Sequence, residues 1–245
     1  MGGASRPGWL RNLTCRDGRF HLPHPPVKPP FDLSLYLVTD PEMTARRGLL
    51  AIVKAALAGG VTLVQLRDKD GPVQAVIDAG RALRALLARR GIPLIVNDRV
   101  EVAQAIGAAG VHIGRDDLPP ARARASLGPD AIIGWSVTAE DQRADFDPAA
   151  VDYVGLGPLF PTGTKADAAP AIGEAAFARI RRRLPCPVVA IGGITAVNAA
   201  RAIAAGADGV AVVSAICAAP DPRAAARALR AAVAAARPRL PVPPR

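Results

Sequence analysis

The sequence predicts a single (β/α)8 TIM barrel, an α/β fold, from three observations. Eight short apolar runs recur along the 245 residues. Ala-, Leu- and Arg-rich segments of helical period separate them, and strands alternating with helices imply a parallel sheet that eight repeats can close. The seventh run ends in two glycines, Gly192-Gly193, and the eighth in Val213-Ser214. Barrels of this class commonly build a phosphate site there, beside a short extra helix.

In chain order the predicted strands are Leu35 to Val38, Val61 to Leu66, Pro93 to Val96, Gly110 to Ile113, Ala131 to Trp135, Tyr153 to Leu156, Pro187 to Ile191 and Gly209 to Val212. Helical period is clearest over Val73 to Arg90, Glu101 to Ile106, Glu174 to Arg183, Val197 to Ala204 and Arg223 to Ala236, with Ser214 to Cys217 as the short extra helix. Gly59-Gly60, Gly110 and Gly206 are expected to stop helices as C-cap residues. A Gly-Val or Gly-Ala-Asp-Gly-Val opening recurs at strands two, four and eight. One barrel takes roughly 250 residues. The barrel is therefore expected over residues 31–236, after a Pro-, Gly- and Arg-containing disordered extension (1–30) and before a frayed tail (237–245).

The formal charge of +10 raises nucleic-acid binding as a possibility. The arginines are spread over helix faces and tails, however, and aromatic residues make up only 4% of the chain, too few for base-stacking platforms. No apolar stretch reaches the length of a membrane span, and the extension lacks the apolar core of a signal peptide. A cytoplasmic protein is expected, with no nucleic-acid or membrane partner. Cys15, Cys186 and Cys217 are odd in number and show no metal-ligand spacing.

Active sites of such barrels form at the C-terminal ends of the strands, and almost every residue there is polar. Asp98 and Asp117 could place two carboxylates on one magnesium ion, which is usually completed by substrate phosphates and water; each could equally cap a helix. Gln65-Leu66-Arg67-Asp68-Lys69 offers a guanidinium and an ammonium to an anion, or forms a solvated charge run. Gly192-Gly193 reads as a phosphate cradle or as a tight turn with Thr195 capping the next helix. Ser136 to Asp141 resembles a helix start, with Thr138 and Asp141 in capping positions. Gly157 to Lys165, with Thr162 and Thr164 flanking Gly163, reads as a lid or as a plain flexible loop.

Together these segments resemble the thiamine phosphate synthase family. The matching stretches are Leu35 to Asp40, Val64 to Lys69, Asn97-Asp98-Arg99, Val111 to Gly114 with Asp117, Gly157 to Lys165, Ala190 to Ile194 and Val213-Ser214. The resemblance implies an enzyme of thiamine biosynthesis that condenses 4-amino-2-methyl-5-(diphosphooxymethyl)pyrimidine with a thiazole phosphate, or its carboxylate form, releasing pyrophosphate. It implies that Gln65, Leu66, Arg67, Asp68, Lys69, Asn97, Ser136 and Lys165 hold the pyrimidine diphosphate. Asp98 and Asp117 would hold one Mg2+ per subunit, and Thr162, Gly163, Thr164, Gly193, Val213 and Ser214 the thiazole phosphate. Arg67, Ser136 and Lys165 are the implied catalytic residues, acting on a dissociating diphosphate.

Five positions depart from the family's pattern: Arg115 for glutamine, Val137-Thr138 for threonine-histidine, Gly163 for proline and Ala166 for lysine. Two alternatives fit parts of the pattern, a thiazole tautomerase of the same fold and a non-catalytic binding protein for thiamine intermediates. The partners expected are small phosphorylated molecules, and assembly into a homo-oligomer is left open.

Overall fold

The computed structural model describes residues 14–16, 19–21, 30–138, 146–164 and 169–237. Eight parallel strands close into a barrel: β1 (Leu35–Val38), β2 (Leu63–Leu66), β3 (Leu94–Asn97), β4 (Gly110–Ile113), β5 (Ile132–Val137), β6 (Tyr153–Leu156), β7 (Val188–Ile191) and β8 (Gly209–Val212). β8 completes the ring by pairing with β1, Val210 opposite Leu35.

The period-2 alternation of strand side chains divides the core in two. Leu35 and Leu37 face the helices, as do Val64, Leu66, Val111, Ile113, Ile133 and Trp135. Tyr36, Val38, Leu63, Ile95, Ile132, Tyr153, Val189 and Ala211 fill the barrel interior. Each fully buried Leu or Ile in the outer layer contributes roughly 1.5–3 kcal/mol. Single truncations there would therefore be costly.

Among the described residues the helices are α1 (Pro41–Ala45), α2 (Leu49–Ala58), α3 (Val73–Ala88), α4 (Val100–Ile106), α5 (Pro120–Leu127), α6 (Gly173–Arg181), α7 (Ala199–Ala204), α8 (Ser214–Cys217) and α9 (Pro222–Ala236). Two begin on an acidic cap followed by proline. Asp40 accepts from Met43 N–H at 3.0 Å, and Asp221 accepts from the N–H groups of Arg223 and Ala224. Both arrangements satisfy amides that the first turn leaves open.

Two local expectations change. Gly110 is not a helix stop but the first residue of β4; the left-handed cap of α4 is Gly107, at φ 61°. Ser136 and Val137 belong to β5, paired with Gly155 and Leu156 of β6; the helix start expected with Thr138 and Asp141 in capping positions falls on residues 139–145, outside the described residues. Within the N-terminal extension, Thr14–Arg16 and Arg19–His21 pair as an antiparallel ribbon where an unstructured segment was expected. The intervening Asp-Gly is a strong sequence signal for a two-residue hairpin. No helix among the described residues is long and apolar enough to cross a membrane.

Candidate active site

The C-terminal ends of the strands open onto a cavity of about 670 Å³ and an adjoining one of about 590 Å³. Asn97, His112, Ser136 and Thr138 line both, so the two form one mouth with two ends.

The acidic end is built by the loops after β2, β3 and β4. Asp98 follows β3 with φ 59°, a left-handed conformation uncommon outside glycine. Its backbone N–H continues the ladder to the His112 carbonyl at 2.9 Å, while Lys69 Nζ lies 3.1 Å from its carboxylate. Burial, reinforced by a hydrogen bond with Asp117, holds the Asp98 carboxyl above its ordinary value, with Lys69 opposing. Neither aspartate caps a helix: α4 and α5 have Arg99 and Pro119 at their N-caps, with no side-chain cap bond. Asp117 instead accepts from Gly114 N–H at 2.6 Å.

Arg67 and Asn97 each carry a buried nitrogen without a partner among the described residues, Nε of Arg67 and Nδ2 of Asn97, and both residues line the larger cavity. An unsatisfied buried donor costs about 1–3 kcal/mol. Two of them at one cavity point to an absent acceptor. Arg99 braces this end by donating to the carbonyls of Gly71 at 2.9 Å and Lys69 at 2.5 Å, so the β2–α3 loop is held from a neighbouring strand.

The other end is the turn after β7. Gly192 and Gly193 have φ 91° and 64°, and a Cβ on Gly193 would run into the Pro161 and Phe160 carbonyls. Asn198 clamps the turn, donating to the Gly193 carbonyl and accepting from Thr195 N–H, both at 2.8 Å. The loop after β6 closes over it: Leu159 and Phe160 donate to the carbonyls of Ile191 and Gly192, and Thr164 Oγ1 lies 3.2 Å from Ser214 Oγ. The Thr164 and Ser214 hydroxyls therefore meet at the start of α8.

Against known proteins, the profile described as thiamine monophosphate synthase matches residues 35–216. The chain belongs to that family. A thiamine-phosphate synthase of Xanthobacter autotrophicus is 58% identical over 208 residues, 85% of this chain and 99% of the relative. One of Azorhizobium caulinodans is 55% identical, covering 88% and 100%. Among solved structures, a thiamine phosphate pyrophosphorylase from Pyrococcus furiosus superposes with a TM-score of 0.76 at 37% identity, covering 83% of this chain and 96% of that one. A 3-hexulose-6-phosphate synthase from Salmonella typhimurium, at 17% identity and TM-score 0.62, shares the fold alone. The protein is thus a transferase of the thiamine phosphate synthase family.

Of the expected site residues, Gln65, Arg67, Asn97, Ser136, Thr162, Gly163, Thr164, Gly193, Val213 and Ser214 line the larger cavity of this synthase. Lys69, Asp98 and Asp117 line the adjoining one, together with Arg115. Two are directed elsewhere. Leu66 packs outward against Gly80 of α3, and Asp68 accepts from Gly71 N–H at 2.8 Å, closing its own loop. Lys165 and Ala166 lie outside the described residues. Sequence reading assigned no role to Tyr36, Tyr153 or His112, which form a polar column under the mouth. The available signal was a glycine in the middle of two strands, Gly134 and Gly155, where a neighbouring group approaches closely.

Proposed function

We propose that the chain condenses the pyrimidine diphosphate with thiazole phosphate to give thiamine phosphate and pyrophosphate, or with its carboxylate form, which in addition loses its carboxylate as carbon dioxide. The observation that carries this reading is one continuous mouth with two ends of different chemistry, each able to hold an anionic group. Gly193, Ser214 and the Thr162–Thr164 loop would hold the thiazole phosphate, and Arg67, Lys69 and Asn97 the diphosphate. The C–O bond between the pyrimidine methylene and the diphosphate breaks with its electron pair leaving on oxygen. The thiazole nitrogen lone pair then forms the new C–N bond, and the ring nitrogen becomes quaternary.

The residues present fit a magnesium ion. Asp98 and Asp117 sit carboxyl to carboxyl, a like-charge contact that a cation would relieve. Among the described residues no three His, Cys, Asp or Glu side chains group as a self-sufficient metal site, and magnesium commonly takes one or two carboxylates plus substrate phosphates. Bound there, magnesium would neutralise charge developing on the departing diphosphate. Arg67 would fill its open Nε–H with a diphosphate oxygen, and Lys165 is proposed to reach the same group. These donors act where charge appears, which is where preorganised electrostatics lowers a barrier most.

The test is pyrophosphate release from the purified chain given both substrates, with and without magnesium. Release that needs all three, with thiamine phosphate as product, is expected. Release from the pyrimidine diphosphate alone at the same rate would overturn the reading.

A further inference from the structure

Beneath the mouth, five polar side chains form an unbroken line through the barrel. Gln65 Nε2 lies 2.6 Å from Tyr36 Oη, and Tyr36 Oη lies 2.8 Å from Tyr153 Oη. Tyr153 Oη is 3.0 Å from His112 Nδ1, and His112 Nε2 is 2.9 Å from Ser136 Oγ. Tyr36 is 1% exposed and Tyr153 is 0%, in a space that Leu or Ile could fill without polar atoms. The space is shaped for these rings. A Cβ on Gly134 would collide with Tyr153 Oη and His112 Nδ1, and one on Gly155 would come within 3.1 Å of His112 Cε1.

Each hydroxyl has one proton, so the first donor sets the direction of the rest. With the Gln65 amide nitrogen facing Tyr36, Tyr36 accepts from Gln65 and donates to Tyr153. Tyr153 then donates to His112 Nδ1, which leaves the imidazole proton on Nε2. His112 Nε2–H donates to Ser136 Oγ, and the Ser136 proton is left to point elsewhere. Burial raises both tyrosines above their ordinary value, Tyr153 further through its neighbour Tyr36, so both hydroxyls keep their protons. The opposite imidazole tautomer would take the serine proton and turn only lone pairs toward an anion.

We propose that Tyr36, Tyr153 and His112 are positioning residues that fix Ser136 as a hydrogen-bond donor, aimed into the cavity at an oxygen of the departing diphosphate. The proposal rests on the synthase reading above, and it extends the site from the mouth into the barrel interior. A buried polar chain rigidifies and specifies a site only when every member is satisfied, and this one is satisfied link by link.

The test is a kinetic cycle on the full chain with both substrates and magnesium. Ser136→Ala is expected to lower kcat about a hundredfold, as loss of one preorganised donor does. Tyr153→Phe is expected to lower kcat about tenfold with both KM values within about twofold, since the loss falls on the transition state. In the Ser136→Ala background, Tyr153→Phe should then change kcat no further. A tenfold loss in that background too, or an unchanged kcat in the single variant despite a lower Tm, would overturn the relay. Should Tyr153→Phe not fold, His112→Gln, whose amide N–H can still reach Ser136, should exceed His112→Leu by about tenfold in kcat. Equal rates would overturn the relay. Turnover by the wild-type chain is read first: its absence sinks the synthase reading, whereas an active wild type with additive variants sinks only the relay.

Discussion

Where the strands begin, charged groups are answered. Arg124 on α5 reaches the Asp152 carboxylate at 2.6 Å and donates to the carbonyls of Ala150, Ala131, Gly128 and Pro129. The same Asp152 oxygen accepts from Ile133 N–H at 2.7 Å. Two strands further on the device repeats: Arg181 meets Asp208 at 3.0 Å, and Asp208 accepts from Val188 N–H at 2.8 Å. Where the strands end, two buried donors lack acceptors among the described residues, two carboxyl groups touch, and Asp98 holds a left-handed backbone. The same residue types lock strand to strand at one end and await charge at the other. In a barrel this is the division between the stabilising face and the catalytic face.

The hardest test of that division is Asp98→Asn, because Asn also tolerates the left-handed conformation and keeps the shape. Removing one of two touching carboxylates is expected to lower kcat/KM by about 10²–10³-fold. Tm should stay within about 3 °C of the wild type, a shift worth roughly 1 kcal/mol in a domain of this size. A melting temperature that fell in step with the rate would mean that Asp98 is structural and that the two ends are not distinct.

At the opposite end Arg124→Met should do the reverse. The side chain keeps its length but takes the guanidinium away from several carbonyls and from Asp152, which keeps the Ile133 N–H, and breaking a largely buried pair costs about 3–5 kcal/mol. With Arg124 17% and Asp152 13% exposed, a value near 3 kcal/mol is expected, hence a Tm lower by about 6–12 °C. Calorimetry and steady-state rates on one preparation check this, with kcat expected within about twofold of the wild type.

The sequence showed the mouth better than the column beneath it, for a physical reason. Strand-end motifs such as Asn97-Asp98 and Gly192-Gly193 are local, and each carries its chemistry in adjacent residues. Tyr36, His112, Tyr153 and Ser136 belong to β1, β4, β6 and β5, and only barrel closure and register bring them together. Ser136 was locally ambiguous, because Ser-Val-Thr suits a helix start as well as a strand end and only pairing with Gly155 places Ser136 in β5. Arg124 and Asp152 were legible as residues but not as a clamp, since 28 positions separate them. The apolar runs overshot β2, β3, β5 and β7 at their starts; at β2 hydropathy follows burial, since Val61 is buried in the outer core before the ladder begins.

Gly193→Ala divides the mouth itself. The added Cβ meets the Pro161 and Phe160 carbonyls at a φ of 64°, so the turn must shift. KM for thiazole phosphate is expected to rise about tenfold, equivalent to about 1.4 kcal/mol of lost binding, with KM for the pyrimidine diphosphate within about twofold. Isothermal titration with each substrate alone sharpens the assignment. Equal losses for both would show that the two anion ends do not act separately.

The smallest effect is expected from Glu174→Gln. Arg201 on α7 grips Glu174 on α6 with two nitrogens, at 2.9 and 2.5 Å, and its guanidinium lies over the Phe160 ring at 5.1 Å. The pairing is close, yet both side chains are solvent-exposed, at 60% and 38%, where water and salt screen most of the attraction. The neutral amide can still accept one of the two hydrogen bonds, so neither Tm nor kcat should change measurably at physiological salt. Phe160 makes this silence informative. It stands in the loop that leads to Thr162 and Thr164, and its backbone is already held by the Gly192 carbonyl at 3.1 Å. A slower variant with an unchanged Tm would therefore mean that Arg201 steadies that loop through the ring. Function would then reach past the strand ends onto the helical shell, and the line between stabilising and catalytic faces would have to be redrawn around α6 and α7.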